Sequence, residues 1–366
     1  MNFNKIKPVY LKKKYKNLNN FYKNKKVLIT GATGFKGSWL SYWLYTLGAK
    51  VYAIGYNPNQ NGKLFDQLNL KNKINLKIID VRNYPSFKNY LNKIKPEVVF
   101  HLAAQPLIYN SYLRPNYTYQ VNSFGTLNLL EILRDYKIAK SIIFVTSDKC
   151  YESNNSAKGF SEEDKLGGID PYSGSKACAE IMINTYYNSF LKKKKIGIAS
   201  ARAGNVIGGG DWSVDRLIPD AIKCLRINKK ISIRNPKFNR PWQHVLEPLD
   251  GYLLLAMKLY RNPKKYSGPW NFGTEKNTIT NVEQIIKKII RFWGYGKYST
   301  IKNKKYYEQK NLQLNINKAK QKLHWFPKLT IDQSIKLTTE WYKEVLIKKK
   351  SVEEITRQQI KKYQSI

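Results

Sequence analysis

The sequence predicts an α/β protein, a doubly wound parallel sheet joined to a smaller, mixed α/β region built from discontinuous segments. Short β-branched apolar runs alternate with helically periodic stretches from Lys25 to about Gly208, which calls for a parallel sheet covered on both faces. A glycine-spaced turn joins the first strand to the first helix of that series. Beyond Gly208 the alternation gives way to Gly-, Pro- and Arg-rich stretches. The 366 residues suffice for about two domains at ~100–200 residues each.

Residues 1–20 show no periodicity and read as a basic extension. Val27-Leu28-Ile29-Thr30 is short, β-branched and closed by glycine, as a buried parallel strand would be, and Trp39, Leu40, Trp43 and Leu44 follow at helical spacing. Further strands are predicted at Val51 to Ile54, Ile74 to Ile79, Val98 to Phe100, Ile142 to Val145 and Ile196 to Ala201, with helical segments between them. Helices follow near Leu217 to Leu225, Leu249 to Leu259, Val282 to Trp293 and Ile331 to Leu346, and Pro269 to Gly273 reads as a strand returning to the sheet. The implied organisation is a sheet domain of 21–207 with 245–275, a second domain of 208–244 with 276–350, and a polar tail at 351–366.

Hydrophobic residues are 42% and charged residues 25%, an ordinary composition for a folded chain. Lys plus Arg number 65 against 25 Asp plus Glu, a formal +40. The excess is mostly Lys, spread along the chain with abundant Asn, Ile and Tyr, so it reads as compositional bias and argues against nucleic acid as the partner. Cys150, Cys178 and Cys224 lack metal-ligand spacing, so no disulfide framework or metal site is expected. No stretch has the ~18 apolar residues of a membrane span, and the first 26 residues lack a signal-peptide core, which makes the cytoplasm the expected location.

Gly31, Gly34 and Gly37 stand directly after a strand and before a helix, the arrangement that lets a dinucleotide pyrophosphate approach the backbone and a helix N-terminus. The second strand ends Ile54-Gly55-Tyr56-Asn57 without the acid that often grips the adenosine ribose, so this turn does not decide between NAD and NADP. Asp80 closes the third strand, either near an adenine amino group or as a strand-end cap. His101 reads as a core histidine before the small residues Ala103 and Ala104. Tyr172 and Lys176 share one helical face after Pro171, a candidate acid/base pair in which a nearby cation favours the phenolate. Ser147, Asp148 and Lys149 end the fifth strand, offering a hydroxyl, a carboxylate and an ammonium at the sheet's carboxyl edge.

Taken in order, Gly31 to Gly37, Asp80, His101 to Ala104, Asn122, Ser147 and Tyr172 with Lys176 resemble the extended short-chain dehydrogenase/reductases, Rossmann-fold enzymes that modify nucleotide sugars. More narrowly, Thr33 to Leu40, Thr146 to Tyr151, Asp170 to Ser173, Arg202 to Trp212 and Arg240 to Val245 resemble the CDP-glucose 4,6-dehydratases. The resemblance implies a lyase that uses NAD to convert CDP-glucose to CDP-4-keto-6-deoxyglucose. Tyr172 would take the 4-hydroxyl proton, Lys176 would hold the phenolate and the nicotinamide ribose, and Ser147 would bind O4. Asp148 would protonate the leaving 6-hydroxyl and Lys149 would remove the C5 proton, at a place where dTDP-glucose and GDP-mannose relatives usually carry Glu. Cofactor contacts are implied at Gly31, Gly34, Phe35, Gly37, Asp80, Val81, Ala103, Ala104 and Asn122, and substrate contacts at Gln105, Asn205, Arg216, Arg234 and Arg240.

A homodimer is also implied, as are products that feed bacterial surface polysaccharide such as lipopolysaccharide. Two stretches depart from the pattern: Leu107-Ile108-Tyr109 stands where Leu-Val-Arg is expected, and 153–158 replaces a Trp-containing stretch. The competing expectations are a 4-epimerase, a dehydratase of another nucleotide sugar, or a non-catalytic polyanion binder.

Overall fold

A computed structural model describes residues 3–56, 63–135, 139–152, 159–275, 279–301 and 312–366. Its main sheet has seven strands: β1 (Lys26–Thr30), β2 (Lys50–Gly55), β3 (Asn75–Ile78), β4 (Val98–His101), β5 (Ser141–Val145), β6 (Gly197–Ala203) and β10 (Gly268–Phe272). They run in the order β10-β6-β5-β4-β1-β2-β3, and every neighbouring pair is parallel. Central strands β4, β5 and β6 are buried at every position, which is why they are mostly apolar or small, with Arg202 the buried charge of β6. Edge strand β3 keeps Asn75 and Lys77 exposed, polar residues that blunt an unpaired edge. The chain winds one way from β1 to β3 and the other from β4 onward, so a crevice opens at the carboxyl ends of β1 and β4.

The second region adds a small sheet of β7 (Asn205–Ile207), β9 (Asn239–His244) and β11 (Ile279–Asn281) and a pair of β8 (Ile231–Arg234) with β12 (Tyr298–Ile301). Helices Leu217–Arg226, Leu246–Arg261, Val282–Trp293 and Ile331–Leu346 fall where the periodicity puts them. Reciprocal capping boxes at Asn281 with Gln284 and Thr330 with Gln333 fix the starts of the last two.

Both chain ends correct the sequence reading. The segment that reads as a basic extension lies in a helix, Phe3–Tyr22, whose Leu11, Tyr15, Leu18 and Tyr22 form one buried stripe. The polar tail is likewise a helix, Val352–Ser365, capped by Ser351 and burying Ile355, Ile360 and Tyr363. The two helices pack on each other over a polar cluster. Lys14 pairs with Asp250, which also accepts from the Tyr15 hydroxyl at 2.8 Å. Glu247 accepts from the Tyr363 hydroxyl at 2.7 Å and from the Lys328 and Leu329 amides at 2.8 and 2.6 Å. No helix among the described residues is long and apolar enough to cross a membrane.

Candidate active site

A cleft of about 860 Å³ opens over the carboxyl edge of the sheet and is closed on its far side by the second region. Its floor is the turn Gly31 to Gly37. Gly31 adopts φ +68°, and a Cβ there would lie 2.7 Å from the Ala103 nitrogen; one on Gly37 would lie 2.1 Å from the Gly31 carbonyl oxygen. Only glycine permits so tight a turn beneath an open cradle, with the N-terminus of the helix Phe35–Thr46 behind it. At the end of β2, a Cβ on Gly55 would meet Thr33 at 2.5 Å, so a side chain at that place is sterically costly. Asp80 lines the cleft, but its carboxylate is held by the Arg82 guanidinium (Nε at 2.9 and 3.1 Å) and amide (2.9 Å). Burial raises its pKa, and these bonds outweigh that and hold it below the usual carboxylate range.

Ser147 donates from Oγ to Asp148 Oδ1 at 3.1 Å and accepts from the Lys149 amide at 3.2 Å, which folds the strand end into a tight turn. Asp148 is buried, and its Oδ2 has no hydrogen-bond partner among the described residues. Burial pushes its carboxyl upward against the opposing charges of Lys149, Arg240 and Lys36, so the acid keeps its proton more readily than an exposed one. Gly204, just after β6, leaves the space: a Cβ there would stand 2.9 Å from Asp148 Oδ2.

Across the cleft the helix Pro171–Tyr186 starts at Asp170, which accepts from the Ser173 amide (2.9 Å) and hydroxyl (2.6 Å). Tyr172 and Lys176 follow on the cleft side. Burial pushes the Tyr172 phenol up to about 12, opposed by a hydrogen bond with Ser147 and by the charge of Arg216. Among the charges around the phenol, Arg216 favours its ionised form, and Asp148 and Asp170 oppose it. Burial brings the Lys176 ammonium down to about 8, and it donates to the Val145 carbonyl at 3.3 Å.

Phe35, Val81, Ala103, Ala104, Lys149, Asn205, Arg216 and Arg234 also line the cleft. Asp211 holds Arg216 at 3.1 Å, and Asp215 holds Arg234 at 3.2 Å. Three predicted contacts lie elsewhere. Gln105 is turned inward, donating to Thr118 Oγ1 at 2.9 Å and accepting from the Leu107 amide at 2.7 Å. Asn122 spends its amide on the Gln105 backbone (2.8 and 3.1 Å) and Ser175 Oγ (2.9 Å), joining the end of β4 to the Tyr172 helix. Arg240 sits behind the cleft wall, with its charge acting on Asp148 and one nitrogen on the Asn239 carbonyl at 3.0 Å.

His101 is a core residue, as read, with Nδ1 2.9 Å from Thr30 Oγ1 and burial lowering its pKa to about 3. Sequence reasoning missed Lys36 and Trp242, which line the cleft as well. Burial, aided by Arg216 and Lys176, lowers the Lys36 ammonium to about 8. A basic residue between two glycines of the turn was the available signal; nothing local marks Trp242, which reaches the cleft because β9 pairs with β7.

A turn for a pyrophosphate facing a buried acid, a phenol and two ammonium groups suits proton transfer on a dinucleotide-assisted substrate. The chain is 41% identical over 330 residues to the CDP-glucose 4,6-dehydratase of Salmonella typhimurium, covering 88% of this chain and 92% of that one. It is 30% identical over 287 residues to a dTDP-D-glucose 4,6-dehydratase of Dictyostelium discoideum, covering 72% and 61%. Among solved structures, dTDP-glucose 4,6-dehydratase from Bacillus anthracis in complex with NAD superposes with a TM-score of 0.74 at 22% identity, covering 87% and 97%. The family profile described as GDP-mannose 4,6 dehydratase matches residues 28–338. That span contains the glycine turn, the Ser147 strand end and the Tyr172–Lys176 helix, and the chain belongs to the GDP-mannose 4,6 dehydratase family.

Proposed function

We propose that the protein is a CDP-glucose 4,6-dehydratase that uses NAD and forms CDP-4-keto-6-deoxyglucose and water. The similarity to the Salmonella typhimurium enzyme over nearly the whole of both chains carries this reading. The cradle above Gly31 and Gly37, which a Cβ would obstruct, fits a dinucleotide pyrophosphate. The chemistry supplied by bound NAD is storage of one hydride, taken from glucose C4 and returned to C6.

The chain's own groups do the rest. Tyr172, as its phenolate, accepts the 4-hydroxyl proton as the 4-keto group forms, with Ser147 beside O4. The keto group acidifies the C5 proton, which Lys149 in its neutral amine form removes and returns to C5 as the hydride reaches C6. Asp148 gives its proton to the departing 6-hydroxyl, a role suited to an acid whose pKa burial raises. Lys176 holds the nicotinamide ribose and the phenolate, while Arg216 and Arg234 suit the diphosphate. Asn122, Gln105 and Arg240 act on these groups from behind the wall.

A homodimer and cytoplasmic residence belong to the same proposal. Phe124 and Ile181 are more than half exposed on helical segments that pack on one another, a surface suited to a second copy. The decisive experiment follows deuterium placed at C4 of CDP-glucose. The label is expected on the C6 methyl group of the same molecule, in a product with a base-sensitive 4-keto chromophore. A C4 epimer, an exchanged label or no turnover would overturn the proposal.

A further inference from the structure

One face of the helix Pro171–Tyr186 carries Tyr172, Lys176 and Glu180, four residues apart. Glu180 has no part in the reaction above, yet it is 3% exposed. A carboxylate persists at that depth when its lone pairs are satisfied, and here they are. Thr146 Oγ1 donates to one oxygen; Ser200 Oγ (2.7 Å) and Arg202 Nη2 (2.8 Å) donate to the other. Burial raises the Glu180 pKa, and the Arg202 charge with these three donors outweighs it and holds the carboxyl below its usual range. Arg202, equally buried, sends Nη1 to the Tyr151 hydroxyl (2.7 Å) and the Glu162 carbonyl (3.2 Å).

These bonds bracket the reacting turn. Thr146 stands immediately before Ser147-Asp148-Lys149 and Tyr151 one residue beyond Cys150, so one ion pair grips both flanks. Tyr151 is fixed further by donating to Asn271 Oδ1 at 2.8 Å and by stacking on Phe160 at 4.9 Å. Glu180 also bears on Lys176, one turn before it on the same helix. The ionisable groups acting with it are Glu180 on its own helix, Cys150 of the turn, His101 at the end of β4 and Lys36 of the glycine turn. Glu180 supplies the negative charge in that set; Arg202, Lys176 and Cys150 are the ionisable groups beside Glu180 itself.

We propose that Glu180 and Arg202 are a positioning pair that sets the Ser147-Asp148-Lys149 turn against the helix of Tyr172 and Lys176 and keeps Lys176 cationic. The positioning half rests on the dehydratase reading, and the electrostatic half does not. Glu180→Gln keeps the side chain's shape and removes its charge. In the protein without cofactor or sugar, Lys176 is followed by carbon-13 NMR of its ε-carbon, identified by the signal lost in Lys176→Met. The titration midpoint is expected to fall by about 1 unit or more in Glu180→Gln. Ser200→Ala, a milder change that strips one donor from Glu180, should leave the midpoint within about half a unit of wild type, since the carboxylate remains. An unchanged midpoint in Glu180→Gln, or an equal fall in Ser200→Ala, would overturn the electrostatic half.

Tyr151→Phe keeps both charges and removes one strut. Its kcat on CDP-glucose is expected to fall by about 10-fold or more, with KM and the Lys176 midpoint unchanged, because small displacements of reacting groups are costly. Wild-type kcat in Tyr151→Phe would overturn the positioning half. A wild-type protein inactive on CDP-glucose would instead overturn the dehydratase reading, while the Lys176 titration still decides the electrostatic role.

Discussion

Asp148 in the cleft and Asp250 beneath the terminal helices are both buried carboxylates, 4% and 0% exposed. They differ in how much of their bonding capacity is used. Asp250 engages Lys14 with one oxygen and the Tyr15 hydroxyl with the other. Asp148 engages Ser147 with one oxygen, and among the described residues nothing bonds the second. A saturated buried charge holds elements together, whereas one left partly unsatisfied, beside an open cleft, keeps capacity for a ligand or a proton. Both carboxylates are buried; the use made of that burial differs.

The sharpest way to break this contrast is at the cleft. Tyr172→Phe is expected to lower turnover by about 10³-fold while NAD binding, measured by calorimetry, stays near wild type. A modest loss would remove the phenol from its role. The terminal cluster should respond in the opposite sense. Asp250→Ala leaves the Lys14 ammonium buried without its partner, and urea denaturation should show about 3–5 kcal/mol lost with activity retained in the folded fraction.

Glu247 gives a smaller, pH-dependent test in the same cluster. Burial and the charge of Asp250 raise its pKa to about 7, against the bonds from Tyr363, Lys328 and Leu329. A folded-state pKa above the unfolded value means that the folded chain holds the extra proton, so this group's contribution is complete at acid pH and fades as pH rises toward and past about 7. Glu247→Gln should flatten that part of the stability profile, by at most about 3 kcal/mol. A profile unchanged by the substitution would mean that Glu247 is ionised throughout.

The sheet was legible in the sequence because central strands buried on both faces must be written in Val, Ile, Leu and Phe, as at Ile142 to Val145. The Tyr172–Lys176 pair and the glycine turn were legible because each is local, set by spacing along one segment. The N-terminal helix was not, since Leu11, Tyr15, Leu18 and Tyr22 lie four, three and four residues apart among lysines and asparagines that mask the stripe. Gln105 and Asn122 were placed in the cleft because a motif gives position along the chain but not direction. The Asn122 amide points at the Gln105 backbone 17 residues away and at Ser175 of the neighbouring helix, and the Gln105 amide at Thr118 Oγ1 and the Leu107 amide. The Glu180–Arg202 pair, 22 residues apart, is likewise visible only once β6 lies beside the helix.

The finest test of the contrast uses a residue without a side chain. Gly204 lies beside the unbonded oxygen of Asp148, and its φ is outside the left-handed region, so alanine fits the backbone. The added methyl would stand 2.9 Å from Oδ2 and must turn the carboxylate, the movable end of the pair, away from its present rotamer. An off-rotamer shift of that kind costs about 0.5–1.5 kcal/mol, or roughly 2- to 10-fold in a rate that depends on the group. In the proposed mechanism Asp148 serves the loss of water and not the oxidation at C4, so Gly204→Ala should slow elimination while hydride abstraction proceeds. Single-turnover measurements should then show reduced nicotinamide accumulating before the 4-keto product leaves. Equal slowing of both steps would place the strain on Tyr172 or on the cofactor cradle instead, and would detach Asp148 from the departing hydroxyl.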